Sequence, residues 1–161
     1  MDALTALGRS VGELLKRRKE TLAVAESSAG GLINAALVAV PGASAYYLGG
    51  LVIYTQAGRE HLLGLTKEDM QGIRSASEPF ARLMARRIRT KIGATWGLAE
   101  TGASGPTGNR YGDAAGHACI AVSGPAETVI TLETGSAERE ANMWTFARTA
   151  IEQLEACLRK A

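Results

Sequence analysis

A carboxylate and two hydroxyls follow one another at the end of a short apolar run. Thr21-Leu22-Ala23-Val24-Ala25 leads into Glu26-Ser27-Ser28, and Ala29-Gly30-Gly31 opens the apolar-rich segment Leu32 to Val40. This pattern reads as a buried strand delivering small polar side chains to the start of a helix. Helix N-termini carry unsatisfied N–H groups and the positive end of a dipole, which favour anions and developing oxyanions. Ser27 at such a junction is a nucleophile, a phosphate ligand or a cap, and Ser28 is the alternative cap. Glu26 needs partners if buried: a cation, N–H groups of a neighbouring segment, or a polar contact to substrate.

Two further segments offer polar groups at strand ends. Tyr54-Thr55-Gln56 follows the strand-like run Leu48 to Thr55, and its alternation leaves Tyr54 half-buried, as a core tyrosine or an active-site hydroxyl. The loop Gly102 to Gly112 is too glycine-rich and polar for helix or strand. Its free N–H groups and Arg110 suit a phosphate or an oxyanion, or make a plain connection. No Gly-Lys-Ser/Thr follows, so it is not a P-loop. Arg59 is a permanent cation, able to bind an anion but unable to accept a proton. Asp113 is a ligand contact or loop polarity. His61 and His117 stand isolated and read as structural, with His117 the one to weigh as a substitute base.

The elements around these residues alternate. Helical periodicity covers residues 2–18, 30–39, 57–63, 78–92 and 138–159, with another helical turn expected over 67–72. Strand patterns cover 21–25, 48–55, 94–101, 117–123 and 128–133, the last two joined at Gly124-Pro125 as a hairpin. The expected architecture is α/β: three layers, a mixed, mostly parallel sheet flanked by helices, and a late β-hairpin, in one domain spanning residues 1–161. In such sheets ligands bind beyond the C-terminal strand ends, where Glu26-Ser27-Ser28, Tyr54-Thr55-Gln56 and Thr101 to Gly112 all fall.

Bulk properties narrow the classes. The 161 residues carry 18 Lys and Arg against 16 Asp and Glu, a near balance that argues against a dedicated nucleic-acid binder. The basic runs Lys16 to Lys19 and Arg86 to Lys91 sit at expected helix ends, where cations complement the dipole. Cys119 and Cys157 form no metal-ligand spacing, so neither a metal nor a cofactor is expected. A reduced, cytoplasmic setting is the simple reading. No apolar run is long enough to span a membrane, and the N-terminus carries no signal pattern.

Taken together, the three segments resemble the C-terminal domain of the CinA (competence/damage-inducible) proteins, which also occurs as a stand-alone nicotinamide mononucleotide amidohydrolase. Family motifs run Ala-Glu-Ser-(Cys/Ser)-Thr-Gly-Gly, Tyr-Ser-Asn-x-x-Lys and Ser/Thr-Gly-x-Ala-Gly-Pro. Here they correspond to Ala25 to Gly31, Tyr54 to Arg59 and Thr101 to Pro106. Val40 to Ser44, Ser77-Glu78 and Gly116 are similar too. The resemblance implies hydrolysis of the carboxamide of nicotinamide mononucleotide to nicotinate mononucleotide and ammonia. It implies a small-molecule nucleotide partner and a homo-oligomer. Ser27 takes the nucleophile position, Tyr54 the tyrosine, and Arg59 the place of the family's lysine base. Substrate contacts then fall to Glu26, Ser28, Gly30, Gly31, Thr101, Gly102, Ala103, Ser104, Gly105 and Arg110, with backbone N–H groups near Gly30 or in the Gly102–Gly105 loop holding the oxyanion.

Several positions depart from the pattern: Gln56 for asparagine, Ala29 for threonine, and Asp113-Ala114-Ala115-Gly116 for Lys-Pro-Val-Gly. Of the arginines expected near the start of the last helix, only Arg139 is a candidate. Because arginine cannot act as a base, a homologue that binds nucleotide without catalysis, or acts on another amide, stands as the alternative.

Overall fold

The computed structural model describes all 161 residues. Its elements are α1 (Asp2–Arg18), β1 (Leu22–Glu26), α2 (Leu32–Val38), β2 (Tyr47–Val52), α3 (Gln56–His61), α4 (Glu78–Ile92), β3 (Trp96–Ala103), β4 (His117–Ser123), β5 (Thr128–Glu133) and α5 (Arg139–Lys160). The strand order is β2-β1-β3-β4-β5. The β1 strand pairs parallel with β2 and β3, while β4 is antiparallel to both β3 and β5. Four of the five strands therefore run in one direction, as expected of a mixed, mostly parallel sheet with a late hairpin.

Strand alternation divides the interior. Leu22, Val24, Trp96, Leu98, Ile120 and Val122 face α1, α2 and α5 in one core. Ala23, Ala25, Ala99, Cys119 and Ala121 face α4 in the other. The first face presents large side chains to three helices. The second presents small ones, which lets α4 lie close to the sheet. Gly97 marks the closest approach: a methyl there would overlap the Ala85 carbonyl and meet the Arg89 Cβ at 2.8 Å.

Local chemistry fixes the helix ends. Ser77 caps α4 by accepting the Phe80 N–H at 3.3 Å, Pro79 occupies the first turn, and Gly93 ends the helix in the left-handed region. The basic runs behave as expected: Lys16, Arg17 and Arg18 occupy the last turn of α1, and Arg89 and Lys91 that of α4.

The segment 67–72 forms hydrogen-bonded turns, among them one helical turn closed by the Met70 N–H on the Thr66 carbonyl at 3.2 Å. Two expectations are corrected. The second strand ends at Val52, because the backbone turns outward to enter α3. The third strand runs on through Gly102 and Ala103, because β4 pairs with both as Gly102↔Ala118 and Ala103↔His117. No helix is long and apolar enough to cross a membrane.

The packing makes Gly97 a sensitive point. Gly97→Ala is expected to lower the free energy of unfolding by about 2 kcal/mol through overpacking against α4, read as a lower urea midpoint at unchanged slope.

Candidate active site

Parallel pairing puts the C-terminal ends of β1, β2 and β3 on one edge of the sheet. The segments that follow them meet there in two adjoining recesses. Ser27, Tyr54, Gly102 and Asn109 belong to both. Arg59, Ser75, Thr101 and Tyr111 are among the other residues of the first recess. Ser28, the Ala103–Gly105 stretch, Thr107, Gly108 and Arg139 complete the second.

The turn between β1 and α2 rests on two buried carboxylates. Both belong to the core face that also carries the larger apolar side chains, Glu26 after Leu22 and Val24, Glu100 after Trp96 and Leu98. Glu26 accepts the N–H groups of Ile33 at 3.2 Å and Asn34 at 2.8 Å, and the Asn34 amide at 2.6 Å. It satisfies the first turn of α2 from outside the helix. Glu100 accepts the N–H groups of Ser27 at 3.1 Å and Ala29 at 2.9 Å through Oε2. The Ser28 hydroxyl donates to its Oε1 in a short contact.

Burial pushes both carboxyls up. For Glu26 the Asn34 and Ile33 N–H groups pull back against that effect. Glu100 reaches about 7, through desolvation first, opposed by Ser28 and the two backbone donors and reinforced by the nearby Glu26 charge.

These contacts relocate several expected roles. Glu26 is buried, and its oxygens face α2 and Asn34 rather than the cleft. The first N–H groups of α2 are taken by Glu26, and the Gly30 N–H is bonded to the Ser27 carbonyl at 3.0 Å. Gly30 and Gly31, both at positive φ, shape the turn outside the cleft walls. The helix N-terminus is thus not free to receive an anion. Arg110 lies outside both recesses, exposed, with its guanidinium on the Tyr111 ring and hydroxyl. Tyr54 is 61% exposed rather than half-buried, since it lies past the end of β2.

The cleft instead holds two arginines with neutral partners. Arg59 donates to the Ser75 hydroxyl at 3.0 Å. Arg139 donates to the Gly105 carbonyl at 2.6 Å and the Tyr54 hydroxyl at 2.7 Å. Neither forms an ion pair with a carboxylate. Arg139 also lies in the first turn of α5, where a cation opposes the helix dipole. Its position is explained by the cleft, not by helix stability.

Outer ties hold the wall that carries Ser75. Arg74 bonds both Asp113 oxygens at 2.8 and 3.1 Å, and Asn109 donates to Asp113 at 2.7 Å. Ala76, at a φ of 56°, turns its carbonyl to His117 Nε2 at 2.7 Å, while Nδ1 meets Glu133 at 2.5 Å. Both ring nitrogens face acceptors, an arrangement that favours the doubly protonated ring. Burial works against that charge, but Glu133, the Ala76 carbonyl and Asp113 outweigh it and raise the pKa. His117 is therefore tied into the frame outside both recesses rather than placed as a substitute base.

Glu100 and Asn109 were not among the residues singled out by type and spacing. For Glu100 the signal existed: strand alternation puts it on the face of Trp96 and Leu98. Asn109 had no signal beyond its place in the polar loop.

A carboxyl whose folded pKa is raised binds protons more readily folded than unfolded. Its stabilising contribution is present below about 4.5, its unfolded value, and is lost as pH rises through about 7. Glu26 and His117 act in the same direction. Stability is expected to fall between about pH 5 and about pH 8, with Glu100→Gln removing on the order of 1–3 kcal/mol of that loss. Urea unfolding of parent and variant at both pH values checks this, and parallel pH profiles would contradict it.

Residues 4–158 match the family model of the CinA C-terminal domain. A CinA-like protein of Nostoc sp. (strain PCC 7120) is 34% identical over 94% of this chain and 36% of its own length. A CinA-like protein of Gloeobacter violaceus is 43% identical over 76% of the chain and 29% of its length. The chain thus spans about a third of the length of these curated relatives. Among solved structures, a competence-damaged protein (CinA) superfamily protein of Klebsiella pneumoniae superposes with a TM-score of 0.91 at 26% identity, covering 98% of this chain and 99% of that one. The competence/damage inducible protein CihA of Agrobacterium tumefaciens gives 0.88 at 27% identity, covering 97% and 95%. The chain belongs to the CinA C-terminal domain family.

Proposed function

We propose that this domain hydrolyses the carboxamide of a pyridine mononucleotide, nicotinamide mononucleotide, to the carboxylate and ammonia. The observation that carries the reading is the pair of arginines without carboxylate partners, Arg59 and Arg139, in recesses that meet at the serine turn. An anionic substrate supplies the charge they lack, and a guanidinium binds phosphate through two parallel N–H groups. A serine of the Ser27–Ser28 turn attacks the carboxamide carbon. The family resemblance assigns that role to Ser27, which lines both recesses. Tyr54, held by Arg139, offers its hydroxyl at the mouth of the cleft.

Arg59 favours a second reading. It occupies the position of the family's lysine base and cannot accept a proton. A chain with no other proton acceptor would bind the nucleotide without turning it over.

Purified protein given nicotinamide mononucleotide is expected to release ammonia. Replacing both Ser27 and Ser28 by Ala should reduce the rate by at least about 10³-fold. Arg139→Ala should raise KM by about 10-fold or more, the cost of a lost charge-assisted contact. An inactive parent that gains turnover on Arg59→Lys would establish the second reading instead.

A further inference from the structure

The cleft lacks the family's lysine, yet one of its two serines already has a proton acceptor. The Ser27 hydroxyl has none: Ser27 reaches Glu100 only through its backbone N–H. The Ser28 hydroxyl donates directly to Glu100 Oε1, and Ser28 lines the recess that holds Arg139. The other oxygen of Glu100 is fixed by the N–H groups of Ser27 and Ala29. A hydroxyl, an acceptor at hydrogen-bond distance and a third group orienting the acceptor are the geometric requirements for an activated nucleophile.

We infer that Ser28 and Glu100 form a nucleophile–base pair in which Glu100 does the work of the absent lysine. The inference rests on the hydrolase reading and names the base and the attacking atom within the same site.

The steps balance. Ser28 Oγ bonds to the carboxamide carbon as its proton passes to Glu100. The C–N bond breaks, and Glu100 returns that proton to the leaving nitrogen, releasing ammonia. Water then adds to the Ser28 ester and gives its proton to Glu100. The C–O bond to Ser28 breaks, the proton returns to Oγ, and the carboxylic acid leaves. The same carboxyl acts as acceptor and donor in turn, which suits a group that titrates close to neutrality. Glu26 is the charged group beside it; Ser28 and the Ser27 and Ala29 N–H groups are its other polar neighbours.

A burial role alone would tie Glu100 to the turn without making Ser28 reactive. Labelling with an alkyl fluorophosphonate, which forms a serine–phosphorus bond with loss of fluoride, separates the two. One adduct per chain is expected, on the peptide carrying Ser28, resolved from Ser27 by fragmentation mass spectrometry. The rate should rise with pH around neutrality. Ser28→Ala should abolish the adduct. Glu100→Gln should slow labelling at least about 100-fold and flatten its pH dependence. An adduct on Ser27, no serine adduct at all, or a Glu100→Gln protein that labels at the parent rate would each overturn the pair. Mapping on the parent needs no variant to fold. The label contains no nucleotide, so a parent that labels at Ser28 but leaves nicotinamide mononucleotide intact would refute the substrate reading and not this one.

Discussion

Two carboxylates buried side by side on one face of the sheet are the constraint on which the site depends. Glu26 and Glu100 both follow large apolar residues at strand ends, and neither has a cationic partner. Leaving either unpaired would cost several kcal/mol, so the chain around them is arranged to supply donors. Glu26 takes the N–H groups that open α2, and Glu100 takes those of the Ser27–Ala29 turn. The turn cannot move without stranding one of these acids. Residues 27 and 28 are held in place by solvation of charge rather than by packing.

The cleft then acquires its electrostatic character from what is not neutralised. Several cations outside the cleft are paired: Arg74 with Asp113, Arg86 with Glu127, Arg87 with Asp69, and His117 with Glu133. Arg59 and Arg139 meet only a hydroxyl or a carbonyl. The paired cations serve the frame. Arg74 and His117 fix the segment that presents Ser75, and Ser75 in turn orients Arg59. The polar loop after β3 is held by Asn142, whose amide donates to the Ser104 carbonyl at 2.8 Å.

Much of this was legible in the sequence where local rules and tertiary packing agree. The helix α4 opens at Glu78 with Pro79 in its first turn as its periodicity predicts, and the strand runs on either side of Gly124-Pro125 form the expected hairpin. The convergence of three polar segments followed from their places at strand ends. Legibility failed where a long-range partner decides the outcome. The N-terminus of α2 reads as an anion site until Glu26 is seen to occupy it. Tyr54 reads as a strand residue, yet β2 loses its pairing with β1 beyond Val52. Arg110 looks like the cation of its loop, yet its guanidinium lies against Tyr111 next to it. Glu100 was visible by alternation but was absorbed into an apolar strand, because an acid in such a run carries no local motif.

Arg59 is best understood against this background. A lysine base must be desolvated to lower its pKa, so it serves at the expense of its charge. An arginine at the same place keeps its charge and adds a second permanent cation to the cleft. In the proposed hydrolysis, proton transfer then falls to a group of the opposite kind, one that burial raises toward neutrality rather than lowers to it. Glu100 meets that description from beneath the turn, on the side of the sheet that Arg59 does not reach. The two residues are complementary in charge and in the face they occupy. A permanent cation in the cleft and an acid in the core together supply what the proposed hydrolysis requires, an anion-binding group and a proton acceptor.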